Sequence, residues 1–335
     1  MHPYIKLICL LFISAITANS FAQDYLFLMP QAAPMTINPA TAGMATGSTL
    51  RMNYMNQWPQ ISGNYVTSAL ALDHRSDSSS FGFGLLLSND RAGRATLNTN
   101  SAEFMVSTGK KFDETTRLLF GAGLALHRKT IDWSQLTFGD MIDPRTGFIY
   151  ETAETPPEGP ANFISLDVGA LFEYHRLRLG ASAWHLNEPN ESLIGGESRL
   201  PRRIVGQASY DFQIAKCAED STQALVEISP SVLYSRQGQF QFTRLGLDVN
   251  VLDRYFVGIF QKGTTTSSTW TGVNAGIQFG TIRVDYAFAK QSSDLTPAWG
   301  NAHSLNLFIP LGKNVKTRKS TPAKDKLASD PAASE

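Results

Sequence analysis

The stretch Trp270-Thr271-Gly272-Val273-Asn274-Ala275-Gly276-Ile277-Gln278-Phe279 changes character at every residue. Val273, Ala275, Ile277 and Phe279 fall on one side of an extended chain, and Gly272, Asn274, Gly276 and Gln278 on the other. A strand turns successive side chains to opposite faces, so the first set can meet lipid while the second faces a polar interior.

Similar segments flank this one. Leu118, Phe120, Ala122, Leu124 and Leu126 oppose Gly121, Gly123, Ala125 and His127. Ile164, Leu166, Val168, Ala170 and Phe172 oppose Ser165, Asp167, Gly169 and Glu173. Ile282, Val284, Tyr286 and Phe288 oppose Arg283, Asp285, Ala287 and Ala289. Fourteen such segments are expected: Leu50–Trp58, Asn64–Asp73, Ser79–Asn89, Ser101–Phe112, Arg117–Arg128, Asn162–Tyr174, Leu177–Leu186, Arg202–Phe212, Ala224–Ser235, Gln239–Leu252, Tyr255–Lys262, Trp270–Phe279, Ile282–Lys290 and Ala302–Pro310. Pro230 has no N–H and marks a bulge or bend in the ninth. The pattern predicts an all-β fold: a transmembrane antiparallel β-barrel of fourteen strands, with both termini on one side because the strand count is even, and periplasmic because the short turns lie on that side.

The connections support this. His74–Ser78, Asp113–Thr116, His175-Arg176, Asp253-Arg254 and Gly280-Thr281 are short. Asp90–Asn100, Lys129–Ala161, Asn187–Pro201, Gly263–Thr269 and Gln291–Asn301 alternate with them and are longer. Short periplasmic turns and longer external loops are the habit of outer-membrane barrels. Gln213–Gln223 is long for a turn, and Arg236–Gly238 is short for an external loop. Aromatic residues gather near strand ends, at Tyr54, Trp58, Tyr65, Phe112, Tyr174, Tyr255 and Phe279 among others, as interfacial girdles do.

Lys6, the apolar run Leu7–Ile16 and the small residues of Ser20-Phe21-Ala22 make a secretory signal cleaved before Gln23. Cys9 leaves with it, and Cys217 alone cannot form an intramolecular disulfide. Four regions follow: a signal peptide at 1–22, a periplasmic N-terminal segment at 23–48, the barrel at 49–311 and a disordered basic periplasmic tail at 312–335. The tail carries Lys313, Lys316, Arg318, Lys319, Lys324 and Lys326 among Ser, Pro, Ala and Asp. Hydrophobic residues make up 42% of the chain, modest for a membrane protein, because half of each strand is polar.

The formal net charge is zero, which gives no broad surface for nucleic acid. No H-E-x-x-H, G-x-S-x-G or zinc-type spacing occurs, so neither an enzyme nor a resident metal or cofactor is expected. Asp132, Asp140, Asp143, Glu151, Glu154 and Glu158 make the longest loop acidic, a composition that suits a solvated loop or Ca²⁺. Arg51, Glu103, Asp167, Glu173, Arg178, Asp248, Arg283 and Asp285 are expected to face the lumen, either pairing across strands or lining an aqueous path. Fourteen strands lie between filled small barrels and wide water-holding ones, so an open lumen and one plugged by loops both fit.

Local motifs add a resemblance. Asn38-Pro39-Ala40-Thr41-Ala42-Gly43 precedes the first strand, and Gln57-Trp58 closes it. Asn89-Asp90-Arg91-Ala92-Gly93 ends the third, and His185-Leu186-Asn187-Glu188-Pro189 the seventh. In order and spacing these resemble the PorP/SprF family, outer-membrane proteins of the type IX secretion and gliding-motility machinery of Bacteroidota. Asn38, Pro39, Gly43, Gln57, Trp58, Asp90, Gly93, His185 and Pro189 are the candidate family-motif residues. Departures include Thr41, where an aromatic is usual, and Ala302-His303-Ser304-Leu305 in the last strand. The resemblance implies a non-enzymatic outer-membrane component that supports export or surface attachment of a cargo protein. Its implied partners are outer-membrane lipid, type IX components, a secreted adhesin or surface cargo, and a periplasmic peptidoglycan-associated protein. The alternative is a porin-like or FadL-like channel for small solutes.

Overall fold

The computed structural model describes residues 24–76, 78–93, 97–156, 159–216, 224–264, 269–292 and 300–316. The expected signal peptide and residues 317–335 of the tail lie outside them. Fourteen antiparallel strands form one closed sheet. They are β1 (Thr46–Gln57), β2 (Tyr65–Arg75), β3 (Phe81–Ala92), β4 (Leu97–Lys111), β5 (Thr116–Thr130), β6 (Ala161–Tyr174) and β7 (Leu177–Trp184). Then come β8 (Arg203–Tyr210, continued by Phe212–Lys216), β9 (Ala224–Gln237), β10 (Phe240–Val251), β11 (Tyr255–Thr264), β12 (Thr269–Phe279), β13 (Ile282–Ser292) and β14 (Asn301–Lys316). Each strand pairs with its sequence neighbours, and β14 closes the ring on β1, with Asn53 opposite Asn306. The closed ladder leaves no edge strand, as a chain crossing lipid requires.

The alternation sets the two faces. In β12, Trp270, Gly272 and Asn274 are buried while Thr271, Val273 and Ala275 are exposed. Outward Phe120, Leu126, Leu166 and Leu245 are all about half exposed or more in the isolated chain. These side chains form the lipid-facing band.

Most strands outrun their apolar cores. β3 and β4 extend through Asp90–Ala92 and Leu97–Asn100, so only residues 93–96 remain of the expected loop Asp90–Asn100. β14 continues to Lys316, and Ser48 pairs with Leu311, so the barrel spans 46–316 and takes in the start of the expected tail. Backbone pairing continues where side chains turn polar, which an apolar-alternation rule misses. Pro230 produces no shift of register against β10, where it faces Leu247. The interruption lies on its other side, between the pairs Ser209–Ser231 and Phe212–Ile228, where β8 breaks at Asp211. A residue without an N–H sits where the ladder has a gap. Strand also replaces part of the expected eighth connection, since β8 runs on to Lys216.

The long connection after β5 carries 3-10 turns at Trp133–Gln135 and Gly139–Met141 and a small hairpin, Ile142–Asp143 with Gly147–Phe148. The turns at the opposite end are tight: Asp113 Oδ1 accepts the N–H groups of Thr115 and Thr116, both at 2.7 Å. Hydrogen bonds from Thr115 push the Asp113 carboxyl down to about 2.

Candidate functional site: a plugged lumen and its vestibule

Residues 24–45 lie inside the ring of strands. Phe27, Met29, Met35, Ala40 and Ala42 are almost fully buried. Polar contacts from this segment reach strands all around the barrel. Asn53 of β1 donates to Ala32 O, and Arg244 of β10 to Leu28 O at 3.2 Å. Ser107 of β4 donates to Ala42 O at 2.6 Å, and Ser182 of β7 to Ile37 O at 2.6 Å. Gln31 donates to Asp248 of β10, and Arg203 of β8 donates to Thr36 O. Only a peptide inside the barrel can touch β1, β4, β7, β8 and β10 together. This corrects the expectation of a periplasmic segment at 23–48. Asp24 lies beside His185, Arg203 and Gln237, at the long-loop end, and Gly43 beside Asp73 and Gly82 at the short-turn end. The segment therefore runs the length of the lumen before β1 begins.

The segment folds this way for local reasons. Three 3-10 turns, Pro30–Ala32, Pro34–Thr36 and Pro39–Thr41, each open on a proline, whose fixed φ suits a first helical position. Asn38 caps the third: its Oδ1 accepts the Ala40 N–H at 2.9 Å while its Nδ2 donates to Ala170 O, also at 2.9 Å. Short turns satisfy the backbone internally, as a buried strand-free segment must. The barrel wall makes room with glycine. A Cβ on Gly121 would collide with Pro39 and Ala40, and one on Gly169 with the Asn38 side chain. Plug side chains and inward residues from twelve strands make one apolar core, including Met55, Met105, Trp184, Phe242, Phe260 and Trp270.

Above the plug, at the long-loop end, a cavity of ≈ 580 Å³ opens. Asp24, Tyr25 and Leu26 line it from the plug, and Trp58, Lys129, Glu191 and Lys262 from the wall. His185 Nε2 lies 2.8 Å from Asp24 Oδ2, its Nδ1 2.7 Å from Ser165 Oγ, and its backbone N–H donates to Asp167 Oδ1 at 2.7 Å. Arg203 stands 3.4 Å from Asp24 and stacks over Trp184. Burial alone would raise the Asp24 carboxyl, but His185 and Arg203 more than offset it and hold Asp24 well below the usual carboxylate range. Burial alone would lower His185, but Asp24 outweighs it and raises the imidazole above its ordinary value. Glu103 Oε1, His127 Nε2, Asp167 Oδ2 and Arg203 Nε are buried in the residues lining this cavity, with no hydrogen-bond partner among the described residues.

The candidate motif residues divide accordingly. Asn38, Pro39 and Gly43 belong to the plug; Gly43, at φ 61°, donates its N–H to Asp73. Gln57, Trp58, Asp90 and His185 come together as vestibule lining. Trp58 packs edge-on against Tyr65 at 4.9 Å and donates to Gln291, while Asp90 accepts from Thr67. Pro189 is buried within the loop 185–202, its carbonyl taking the Leu200 N–H. Gly93, at φ 76°, is a turn residue apart from the cavity. Asp24, Arg203 and Lys262 belong to the site but were not singled out by sequence, because no local motif contains them.

Most lumen charges find partners. Arg51 pairs with Asp73 at 2.7 Å, Arg117 with Glu173, Arg178 with Asp211, and Arg283 with its neighbour but one, Asp285. Asp248 accepts from Asn274 and Gln31. In the acidic loop, Asp132, Asp140 and Asp143 each accept backbone N–H groups. No three acidic, His or Cys side chains converge as metal ligands among the described residues.

No curated protein matches the chain. Among solved structures it is similar to the Acinetobacter baumannii outer membrane protein Omp33, with 8% identity, TM-score 0.45, and 80% of this chain and 100% of that one covered. It is also similar to the CymD monoaromatic hydrocarbon channel, with 12% identity, TM-score 0.46 and coverage of 83% and 91%. A Pseudomonas aeruginosa FadL homologue gives 12%, 0.44, 82% and 92%. The family described as type IX secretion system membrane protein PorP/SprF matches residues 19–308. A closed sheet with an outward apolar band belongs to the bacterial outer membrane. The chain is an outer-membrane β-barrel and belongs to the PorP/SprF family of type IX secretion system membrane proteins.

Proposed function

We propose that this barrel is a closed, non-enzymatic docking component of type IX secretion rather than a pore for small solutes. The observation that supports it is the plug: residues 24–45 fill the lumen and are tied to strands around the ring. A passive channel would leave the lumen to water, as wide porins do. In this reading the long-loop end faces outward. The vestibule and the loops 131–160 and 185–202 receive an exported adhesin or surface protein. The short-turn end and the basic tail face the periplasm and meet type IX components or a peptidoglycan-associated protein. A role in gliding follows if the cargo is a motility adhesin.

The test is a clean deletion of the gene, followed by comparison of cell-surface and culture-medium proteins. Loss or mislocation of one type IX cargo, or a small set, is the expected result. Unchanged cargo with reduced uptake of small solutes would replace this reading with the channel reading. Planar-bilayer recordings on the intact purified chain give an independent check, with no stable conductance steps expected.

A further inference from the structure

We propose that the outer wall of the barrel carries a seat for a phosphorylated, multi-acyl lipid of the lipid A type. A cavity of ≈ 1160 Å³ is lined by outward side chains of seven consecutive strands, β14 and β1–β6. Its central outward residues Leu70 and Leu87 are 36% and 40% exposed, against 56% and 50% for Leu126 and Ile164 at one side, so the wall dips into a shallow groove here. The inward residues behind it at its centre, Ala69, Ser88 and Ser101, are small. Seven strands at about 4.8 Å spacing make a groove about 29 Å wide. Its volume exceeds the roughly 300–1,000 Å³ that seats one drug-sized molecule.

Register assigns the chemistry along the groove. Met52, Leu70, Leu87, Ala102, Leu126 and Ile164 lie opposite one another as a continuous apolar rung across β1–β6. Two residues nearer the long-loop end, the next outward rung reads Tyr54, Ser68, Asn89, Asn100, Arg128 and Asn162. Asn89 donates to Asn98 at 2.7 Å and to Asn100 at 2.9 Å, fixing an amide cluster on the outer surface. Arg91 is exposed on the same face, and neither it nor Arg128 has a carboxylate partner among the described residues.

A smooth apolar floor below a rim of amides and two free guanidinium groups matches acyl chains below a sugar–phosphate headgroup. Guanidinium is the residue chemistry suited to bidentate phosphate recognition, and amides suit sugar hydroxyls. The width of the apolar rung suits several chains side by side rather than the two of a phospholipid. A neighbouring barrel would bring a convex apolar wall with no anion for Arg128.

The experiment uses the full mature chain extracted from its own outer membrane. Native mass spectrometry follows detergent exchange, then competition with purified lipid A or phosphatidylglycerol in mixed micelles. The intact protein is expected to retain lipid A and to prefer it over phosphatidylglycerol. Arg128→Gln, on the exposed rim, is expected to weaken retention at least about tenfold, the scale of losing a charged hydrogen bond. Ala102→Trp, which fills the floor, is expected to abolish retention. Heat-modifiable gel mobility checks that each variant is folded, and Arg128→Gln suffices if the tryptophan variant is not. A photo-crosslinker at position 102 in living cells is expected to capture lipid A. No retained lipid A, equal retention of phosphatidylglycerol, wild-type retention by the folded variants, or capture of a protein at 102 would each overturn the proposal.

Discussion

Asp24 and His185 are 161 residues apart in the chain, yet Asp24 Oδ2 lies 2.8 Å from His185 Nε2. The contact ties the first described residue of the plug to the start of the loop after β7, at the long-loop mouth of the barrel. It is where the N-terminal segment is latched to the wall.

The latch is expected to be pH-dependent. His185 is raised above its ordinary 6.5, so the stability it contributes is complete below that value and is lost as pH rises through the raised one. Asp24 is lowered, so its share is present above the ordinary carboxylate value and is lost only in strong acid. Asp167, Arg203 and His127 also face this pair. Hydrogen exchange at Tyr25–Met29, corrected for intrinsic rates, should show full protection below pH 6.5 and falling protection as pH rises above it. His185→Ala should remove that dependence. Asp24→Asn should weaken the docked end by an amount near the lower bound of the roughly 3–5 kcal/mol for breaking a buried pair, because the Asp24 side chain keeps 19% exposure. A flat exchange profile in the intact protein would dismiss the latch.

Gly121 and Gly169 should behave as plug-seating positions. Valine at either place pushes on Pro39, Ala40 or Asn38, an overpacking that costs about 1–3 kcal/mol. The plug has a cheaper response than the barrel: its turn at Pro39–Thr41 can shift off the wall locally. Gly121→Val and Gly169→Val should therefore accelerate amide exchange at residues 38–42 while the barrel keeps its heat-modifiable mobility. Gly206→Val, which adds a side chain into open space, should leave that exchange unchanged. Accelerated exchange in all three, or in none, would count against this seating.

These glycines also show how far the sequence could be read. Strand number, order and face are local matters, since one face must suit lipid and the other must not. Val273 and Asn274 declare theirs without knowledge of any partner. Small inner-face residues were equally visible, but what fills the space they leave is a long-range matter. Asn38-Pro39 announces a turn, and nothing local says that Gly121 and Gly169 wait for it more than eighty residues on. The vestibule escaped for the same reason. Asp24, Arg203 and Lys262 form a site only once the ring has closed, whereas Trp58 and His185 stood out through motifs at strand ends. The apolar pattern overestimates loop length where the outward residues turn polar, as at Arg91, Asn98 and Asn100, because ladder hydrogen bonds do not depend on apolar side chains.

The lipid face gives a depth test. Val273, at the middle of β12, is 53% exposed on the outer surface. Val273→Arg should destabilise the barrel by about 2–4 kcal/mol, while Thr269→Arg, outward but at the strand end, should cost about 0–1 kcal/mol. Reversible unfolding in liposomes measures both. Asn274 is a poor neutral reference despite its inward position, because its Nδ2 donates to Asp248 at 3.0 Å and its side chain sits against Gly258. Equal costs at 273 and 269 would mean that Val273 does not lie at mid-membrane depth.

Asp73 should prove the residue on which the lower end of the plug depends most. Its side chain is fully buried; Oδ1 takes Arg51 Nη1 at 2.7 Å and the Thr49 hydroxyl, and Oδ2 accepts the Gly43 N–H at 3.1 Å. One carboxylate thus joins β1, β2 and the last turn of the plug. Asp73→Ala strands the 11%-exposed Arg51 side chain and orphans an N–H, and should cost about 3–5 kcal/mol. The exposed pair Lys111–Glu114 is the comparison: Glu114→Ala should cost about 0–1 kcal/mol. The diagnostic reading is regional. In Asp73→Ala, amide exchange should accelerate at residues 42–45 before it does in the strands. The Asp24 end of the plug should stay protected at neutral pH, because its latch is separate. Uniform acceleration along residues 24–45 would show instead that the plug is released as a single unit, with no independent hold at its two ends.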